Sequence, residues 1–215
     1  MRKLTFVFLF FIIVFFSLNF NLNAFDESKV IICIDPGHGG MDGGTVTSDA
    51  LEKDINLSMS MSLKKELESL GFEVLLTREN DSALCAEKFS KKEDLHNRIE
   101  IINNSNAILF VSIHMNSFPN PKYRGAQVFY GKKNANNEYL AYIIQSYLCA
   151  YTDTKREYKL LSDILLLKKT NIPGCLIECG FLSNEEELAL LTSKIYQNKL
   201  AKVISMALSD YLKVI

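Results

Sequence analysis

The 215-residue sequence contains three histidines, and two of them sit where metal chemistry can be built. His38 follows the apolar run Val30-Ile31-Ile32-Cys33-Ile34 by four residues, and His114 closes the run that begins at Ile108. Continuous apolar runs of this length are what strands buried on both faces look like. In an open α/β sheet, ligands bind beyond the carboxyl ends of the strands, so two histidines delivered there share one edge. Two imidazoles and one carboxylate leave a fourth position on zinc for water, the catalytic arrangement. The third histidine, His96, lies on a polar helical face and reads as a structural residue.

The carboxylate must come from the same edge. Glu52 is the leading candidate, because it opens the helix that follows the first strand, and such a helix begins at the carboxyl edge. By position alone, Asp42, Asp49 and Asp54 compete with it. A second acid is needed to take a proton from attacking water and pass it to the leaving amine. Glu178 directly continues the apolar run Cys175-Leu176-Ile177, so it too arrives at a strand end. Burial there would raise its pKa, which suits a group that must both accept and donate a proton. Each residue has a plainer reading: a histidine after a strand is often structural, and a glutamate opening a helix is favoured by the dipole.

The elements that must position these residues are legible. Five of the ten glycines fall between residues 37 and 44, marking a loop with unusual backbone angles or close approach to a ligand. Glycine-rich loops after strands often hold phosphate, but this one lacks the GxGxxG spacing and the P-loop lysine. Ile55, Met59, Leu63 and Leu67 recur every four residues before Gly71, an amphipathic helix with a glycine stop. Further strands are expected at 72–77, 108–114, 126–130, 163–167 and 175–177. Helices are expected over 93–104 and 136–150, and one or two over 184–212. Alternating strands and helices predict one α/β domain, with a largely parallel twisted sheet flanked by helices on both faces.

Composition narrows the class. Hydrophobic residues make up 48% and charged residues 23%, enough for a packed core, and the formal charge of −1 offers no basic stripe for nucleic acid. Residues 1–24 differ from the rest: Arg2 and Lys3 precede an apolar stretch from Leu4 to Phe16, and no acid appears before Asp26. This pattern reads as a signal peptide cleaved after Ala24 or, failing cleavage, an N-terminal membrane anchor. The remaining unit, residues 25–215, would be exported. Losing Arg2 and Lys3 takes the formal charge from −1 to −3, so net charge would not hold it on an acidic wall. The five cysteines are an odd number with no CxxC pair, and they imply no disulfide framework.

Taken together, the motifs resemble the zinc-dependent N-acetylmuramoyl-L-alanine amidases of the amidase-3 type. Asp35-Pro36-Gly37-His38-Gly39-Gly40 resembles that family's opening motif, and Leu51-Glu52-Lys53-Asp54-Ile55-Asn56-Leu57 its second. Val111-Ser112-Ile113-His114-Met115-Asn116-Ser117 resembles its third, and Leu176-Ile177-Glu178-Cys179-Gly180-Phe181-Leu182 its last. The resemblance runs from about Val30 to the C-terminus. It implies one Zn2+ per chain on His38, Glu52 and His114, with Glu178 as catalytic acid/base; the choice of Glu52 over the nearby aspartates rests on it. Asn116 and Arg98 are candidate substrate or scaffold residues, Arg98 leaning to scaffold because it lies within a helix. The implied reaction is hydrolysis of the amide between N-acetylmuramic acid and L-alanine in peptidoglycan.

A short chain with a leader and no visible wall-binding module is similar to the germination-specific amidases of the spore cortex, which help make muramic-δ-lactam. Such an enzyme would act outside the cytoplasmic membrane, in wall or cortex, with a wall- or membrane-associated accessory protein. General wall turnover and cell separation is the other role open to it. Two rival functions remain at this level: a zinc carboxypeptidase-like hydrolase of the stem peptide, which would want a carboxylate-binding arginine in its pocket, and a non-catalytic wall-binding protein.

Overall fold

The computed structural model describes residues 30–85 and 88–215; the leader or anchor expected over residues 1–24 lies outside the described residues. Six strands form one sheet: β1 (Ile31–Pro36), β2 (Glu73–Leu76), β3 (Leu109–Asn116), β4 (Gln127–Tyr130), β5 (Lys159–Leu160) and β6 (Gly174–Phe181). Their order is β2-β1-β3-β6-β4-β5. Every neighbouring pair is parallel except β4 and β6, which run antiparallel. Six helices complete the domain: α1 (Glu52–Ser69), α2 (Lys91–Asn104), α3 (Asn137–Tyr151), α4 (Leu165–Lys169), α5 (Glu185–Thr192) and α6 (Lys194–Leu212).

The strands read as unbroken apolar runs because each feeds two cores. Successive side chains point to opposite faces of a sheet. Ile32, Ile34, Val111, Ile113, Cys175 and Ile177 join the large core under α1, α3 and α6. Their alternates Cys33, Phe110 and Leu176 join a smaller core with Ile99 and Ile102 of α2 and Leu166 and Leu167 of α4. Helices therefore cover both faces, as a mostly parallel sheet requires.

One expected element is different. The apolar run over 163–167 is not a strand: Leu165–Lys169 forms the short helix α4, and the edge strand is instead Lys159–Leu160. A run of four apolar residues fits a strand or a buried helical turn equally well by periodicity. Here the helix sends Leu166 and Leu167 into the small core against α2. The five cysteines are all free. Among the described residues, no helix is long and apolar enough to cross a membrane.

Candidate metal centre and active site

The parallel pairing of β1, β3 and β6 brings the sequence candidates to one edge. Gly37 follows β1 and donates its backbone N–H to Ile113 O at 3.0 Å, so it sits beside His114. His114 pairs with Glu178 across β3 and β6, and Glu178 pairs with Gln127 across β6 and β4. Directly opposed residues face the same side of a sheet, so His114, Glu178 and Gln127 form a row over four-strand-wide β structure headed by Gly37. Gly37 must be glycine here: a Cβ would fall 2.2 Å from the His114 ring.

Glu52 reaches this row from the first turn of α1. Its Oε1 lies 3.0 Å from His114 Nδ1 and 3.2 Å from His38 Nε2, and it accepts the Met115 backbone N–H at 3.1 Å. Its Oε2 accepts the Thr45 N–H at 2.8 Å. The two imidazoles stand edge to face, with ring centroids 4.9 Å apart. One donor atom from each of His38, Glu52 and His114 lies within 4.8 Å of the other two, the one such group among the described residues. Gly44 closes the cage at a φ of +66°, where a Cβ would lie 2.6 Å from Glu52 Oε2 and 2.7 Å from His38 Cδ2.

The electrostatics follow from this packing. Burial alone would raise the Glu52 pKa, but hydrogen bonds and charge attraction from His114 and His38 hold it far below the usual carboxylate range. Burial disfavours a charged His38, yet Glu52 and then Asp42 raise its pKa above the ordinary value. An ionised carboxylate, only 3% exposed and flanked by two imidazoles, calls for positive charge at their common centre. A divalent ion with nitrogen and oxygen ligands fits that requirement. Glu178 has the opposite bias. Burial first, then the nearby Glu52 charge, push it up to about 7 against the pull of the histidines. Its Oε2 is buried with no hydrogen-bond partner, so it is aimed at the site without being spent on the scaffold.

The competing aspartates separate. Asp42 Oδ2 lies 2.9 Å from His38 Nδ1, although that nitrogen lacks an aligned hydrogen bond, so Asp42 stands behind the histidine. Asp49 accepts from Ser48 Oγ at 2.8 Å in the exposed loop, and Asp54 is exposed on α1. Asn116 ends β3 above His114, where its Oδ1 accepts the Ser117 N–H at 2.8 Å.

Arg98 is placed behind the loop. It is 3% exposed, with Nε to Asp94 Oδ2 at 2.7 Å and Nη1 to Asp35 Oδ1 at 2.8 Å. Nη1 also donates to Pro36 O at 2.7 Å, and Nη2 donates to His38 O at 2.5 Å. All three of its nitrogens are engaged within the protein, which gives the side chain a scaffold role. Arg78, which sequence reasoning did not single out as a site residue, completes the grip: it donates to Pro36 O at 2.9 Å and to Gly37 O at 3.0 Å. Asn56, part of the same motif as Glu52 but given no role there, lies one helical turn after it and faces it. Its Nδ2 donates to Gly37 O at 3.1 Å and to Glu52 Oε1 at 3.4 Å. These donors hold His38 at a φ of +61°, a backbone region that costs a non-glycine residue energy. Beside the histidines a cleft of about 350 Å³ opens, with an apolar wall of Leu95, Ile164, Leu165 and Leu176 and with Lys91 on its rim.

The chain is similar to known proteins in sequence and in fold. Residues 32–210 match a family model described as N-acetylmuramoyl-L-alanine amidase. The chain is 42% identical to the germination-specific N-acetylmuramoyl-L-alanine amidase of Bacillus subtilis, over 86% of this chain and 80% of that protein. Its fold superposes on the CwlD amidase of Clostridioides difficile, solved in complex with the GerS lipoprotein, with a TM-score of 0.82, 47% identity, and coverage of 86% of this chain and 100% of that one. The catalytic domain of CwlV from Bacillus (Paenibacillus) polymyxa var. colistinus matches with a TM-score of 0.75 at 29% identity, over 86% of this chain and 99% of that one.

Proposed function

This chain belongs to the N-acetylmuramoyl-L-alanine amidase family, and from that premise we propose that it cuts the muramoyl–alanine amide of peptidoglycan with a zinc ion held by His38, Glu52 and His114. The observation that carries the metal assignment is the convergence of these three donors around one ionised, buried carboxylate. When bound there, zinc would supply Lewis acidity for the amide carbonyl and a lower pKa for the attacking water.

The chain's own residues do the rest. Glu178 takes the proton released as water adds to the carbonyl carbon. It returns that proton to the alanine nitrogen as the C–N bond breaks, giving a muramic acid carboxyl and a free L-alanine amine. A carboxyl with a pKa raised to about 7 is suited to both transfers near neutral pH. Arg78, Arg98 and Asn56 fix the backbone that presents His38.

The biological setting we infer is the spore cortex, outside the cytoplasmic membrane. The named role of the Bacillus subtilis relative supports it. The lipoprotein in the Clostridioides difficile complex supports an accessory partner of that kind for this chain. The test is direct: incubate residues 25–215, with and without Glu178→Gln, with purified peptidoglycan and zinc, and read the products by mass spectrometry. Zinc-dependent release of stem peptides with a free L-alanine amine is the expected result. Peptides shortened at their far end would overturn the cleavage site.

A further inference from the structure

Two aromatic side chains in the loop that follows β3 hold much of their surface in solvent. Phe118 is 47% and Tyr123 45% exposed, and their ring centroids lie 4.5 Å apart. Behind them is the buried ring of Phe181, 6.3 Å from Tyr123. The Arg156 guanidinium lies 4.5 Å from the Phe181 ring centroid and 5.8 Å from that of Tyr123. A packed pair of rings backed by a cation is an ordered surface patch, and large exposed apolar groups that are held in place mark binding sites.

The segment that carries them is fastened down. Phe118 N–H donates to Ser183 Oγ at 3.0 Å, and Asn184 Nδ2 donates to Pro121 O at 2.8 Å. Leu182 N–H donates to Asn116 O at 2.8 Å, and Tyr123 N–H to Asn120 O at 3.2 Å. The start and the middle of the loop are thereby tied to the turn that follows β6, and Tyr123 is tied to the loop itself. A ligand landing on these rings has little ordering cost to meet, which favours recognition.

The patch is also continuous with the catalytic row. Phe118 lies four residues after His114 and two after Asn116, whose strand partner is Phe181. At the rise of a strand, that places it within roughly 13 Å of His114. On the other side, Arg156 Nη1 donates to Gln127 Oε1 at 3.1 Å, and Gln127 is the cross-strand partner of Glu178.

A substrate that is a polymer of pyranose rings must run past the reacting bond in both directions. Sugar rings present C–H faces that lie flat on aromatic rings and hydroxyls that accept from guanidinium groups. Resting on the amidase reading above, we propose that Phe118 and Tyr123 form a glycan subsite. Their rings stack on sugars of the glycan strand next to the muramoyl residue being cut, with Arg156 as the polar flank. The platform grips the polysaccharide and not the stem peptide.

Two measurements test this. First, Glu178→Gln protein, chosen to remove cleavage, is titrated with peptide-free peptidoglycan glycan strands and followed by isothermal titration calorimetry. Adding Phe118→Ala and Tyr123→Ala should weaken binding about tenfold, the scale of two lost ring contacts. The exchange Phe118→Tyr with Tyr123→Phe keeps both rings and should preserve binding. Equal binding by the alanine protein, or loss in the ring-preserving protein, overturns the subsite. Second, in otherwise wild-type protein the alanine pair should raise KM about tenfold on glycan-linked substrate with kcat unchanged, and leave both constants unchanged on a single-sugar N-acetylmuramoyl peptide. Equal losses on the two substrates would assign the rings to the peptide or to the fold and overturn the proposal. If wild-type protein frees no L-alanine amine from either substrate, it is the amidase reading that fails, and the glycan titration still decides the subsite.

Discussion

His114 and Glu178 are direct cross-strand partners on β3 and β6, so the sheet itself sets the spacing between a metal-ligand candidate and the acid/base candidate. Neither side chain depends on a loop for its place. Replacing Glu178 by glutamine keeps the volume and removes the proton acceptor. We expect kcat to fall by about 10²–10⁴-fold, the usual range for general acid–base catalysis, while bound zinc is unchanged. Rates from product analysis and metal content by atomic emission check the two halves. A variant that loses its metal would show that Glu178 serves the metal and not the proton.

Metal removal should be readable in stability as well as rate. Glu52 is buried and ionised between two imidazoles, so a cation that binds the folded chain stabilises it by mass action. At free zinc of 100 times the Kd, the gain is about 2.7 kcal/mol. Chelation should abolish hydrolysis and lower the Tm, and zinc should restore both at one ion per chain. In His114→Ala, zinc addition should leave the Tm nearly flat.

Gly37 is the narrowest point of the site. Alanine there would put a methyl group 2.2 Å from the His114 ring. The ring must move, and overpacking of this kind costs about 1–3 kcal/mol. Gly37→Ala should therefore fold with a lower Tm and bind zinc at least tenfold more weakly in a competition titration. Unchanged zinc affinity would mean that His114 has freedom the structure does not record.

The buried Asp35–Arg98 pair predicts an acid limb in stability. Burial would raise the Asp35 pKa, but Arg98, with hydrogen bonds from Thr77 and Ser112, lowers it below the ordinary value. A carboxylate whose folded pKa is depressed contributes stability that is fully present above the unfolded pKa of about 4 and is lost as pH falls through the folded value. Urea midpoints should thus decline below about pH 4, and less steeply in Asp35→Asn. Arg98→Met leaves Asp35 buried without its partner and should cost about 3–5 kcal/mol at neutral pH.

Much of this protein was legible before any coordinates. The apolar runs ending at Ile34, His114 and Ile177 fixed three buried parallel strands, and the motif resemblance named His38, Glu52, His114 and Glu178. Local pattern failed where two structures fit one pattern. The leucines before Lys168 fit a strand as well as a helical turn, and packing against α2 selected the turn. The pattern also could not tell that β4 runs antiparallel to β6, because strand direction is set by the path of the connection and not by composition.

The sequence by itself determined residue chemistry and periodicity: which side chains can ligate or titrate, and which stretches are apolar enough to be buried. It also marked, through clustered glycines, where the backbone must turn tightly. Spacing left Glu52, Asp42, Asp49 and Asp54 equal, and the motif resemblance favoured Glu52. Only the tertiary structure decided that Glu52 lies between both histidines while Asp42 stands behind His38, because the four acids share one short segment and differ in where the folded loop sends them. It likewise decided that Arg98 grips backbone carbonyls inside the protein, and that Phe118, Tyr123 and Arg156 meet in one patch. Contacts between residues far apart in the chain are made by strand register and packing, and no local spacing encodes them.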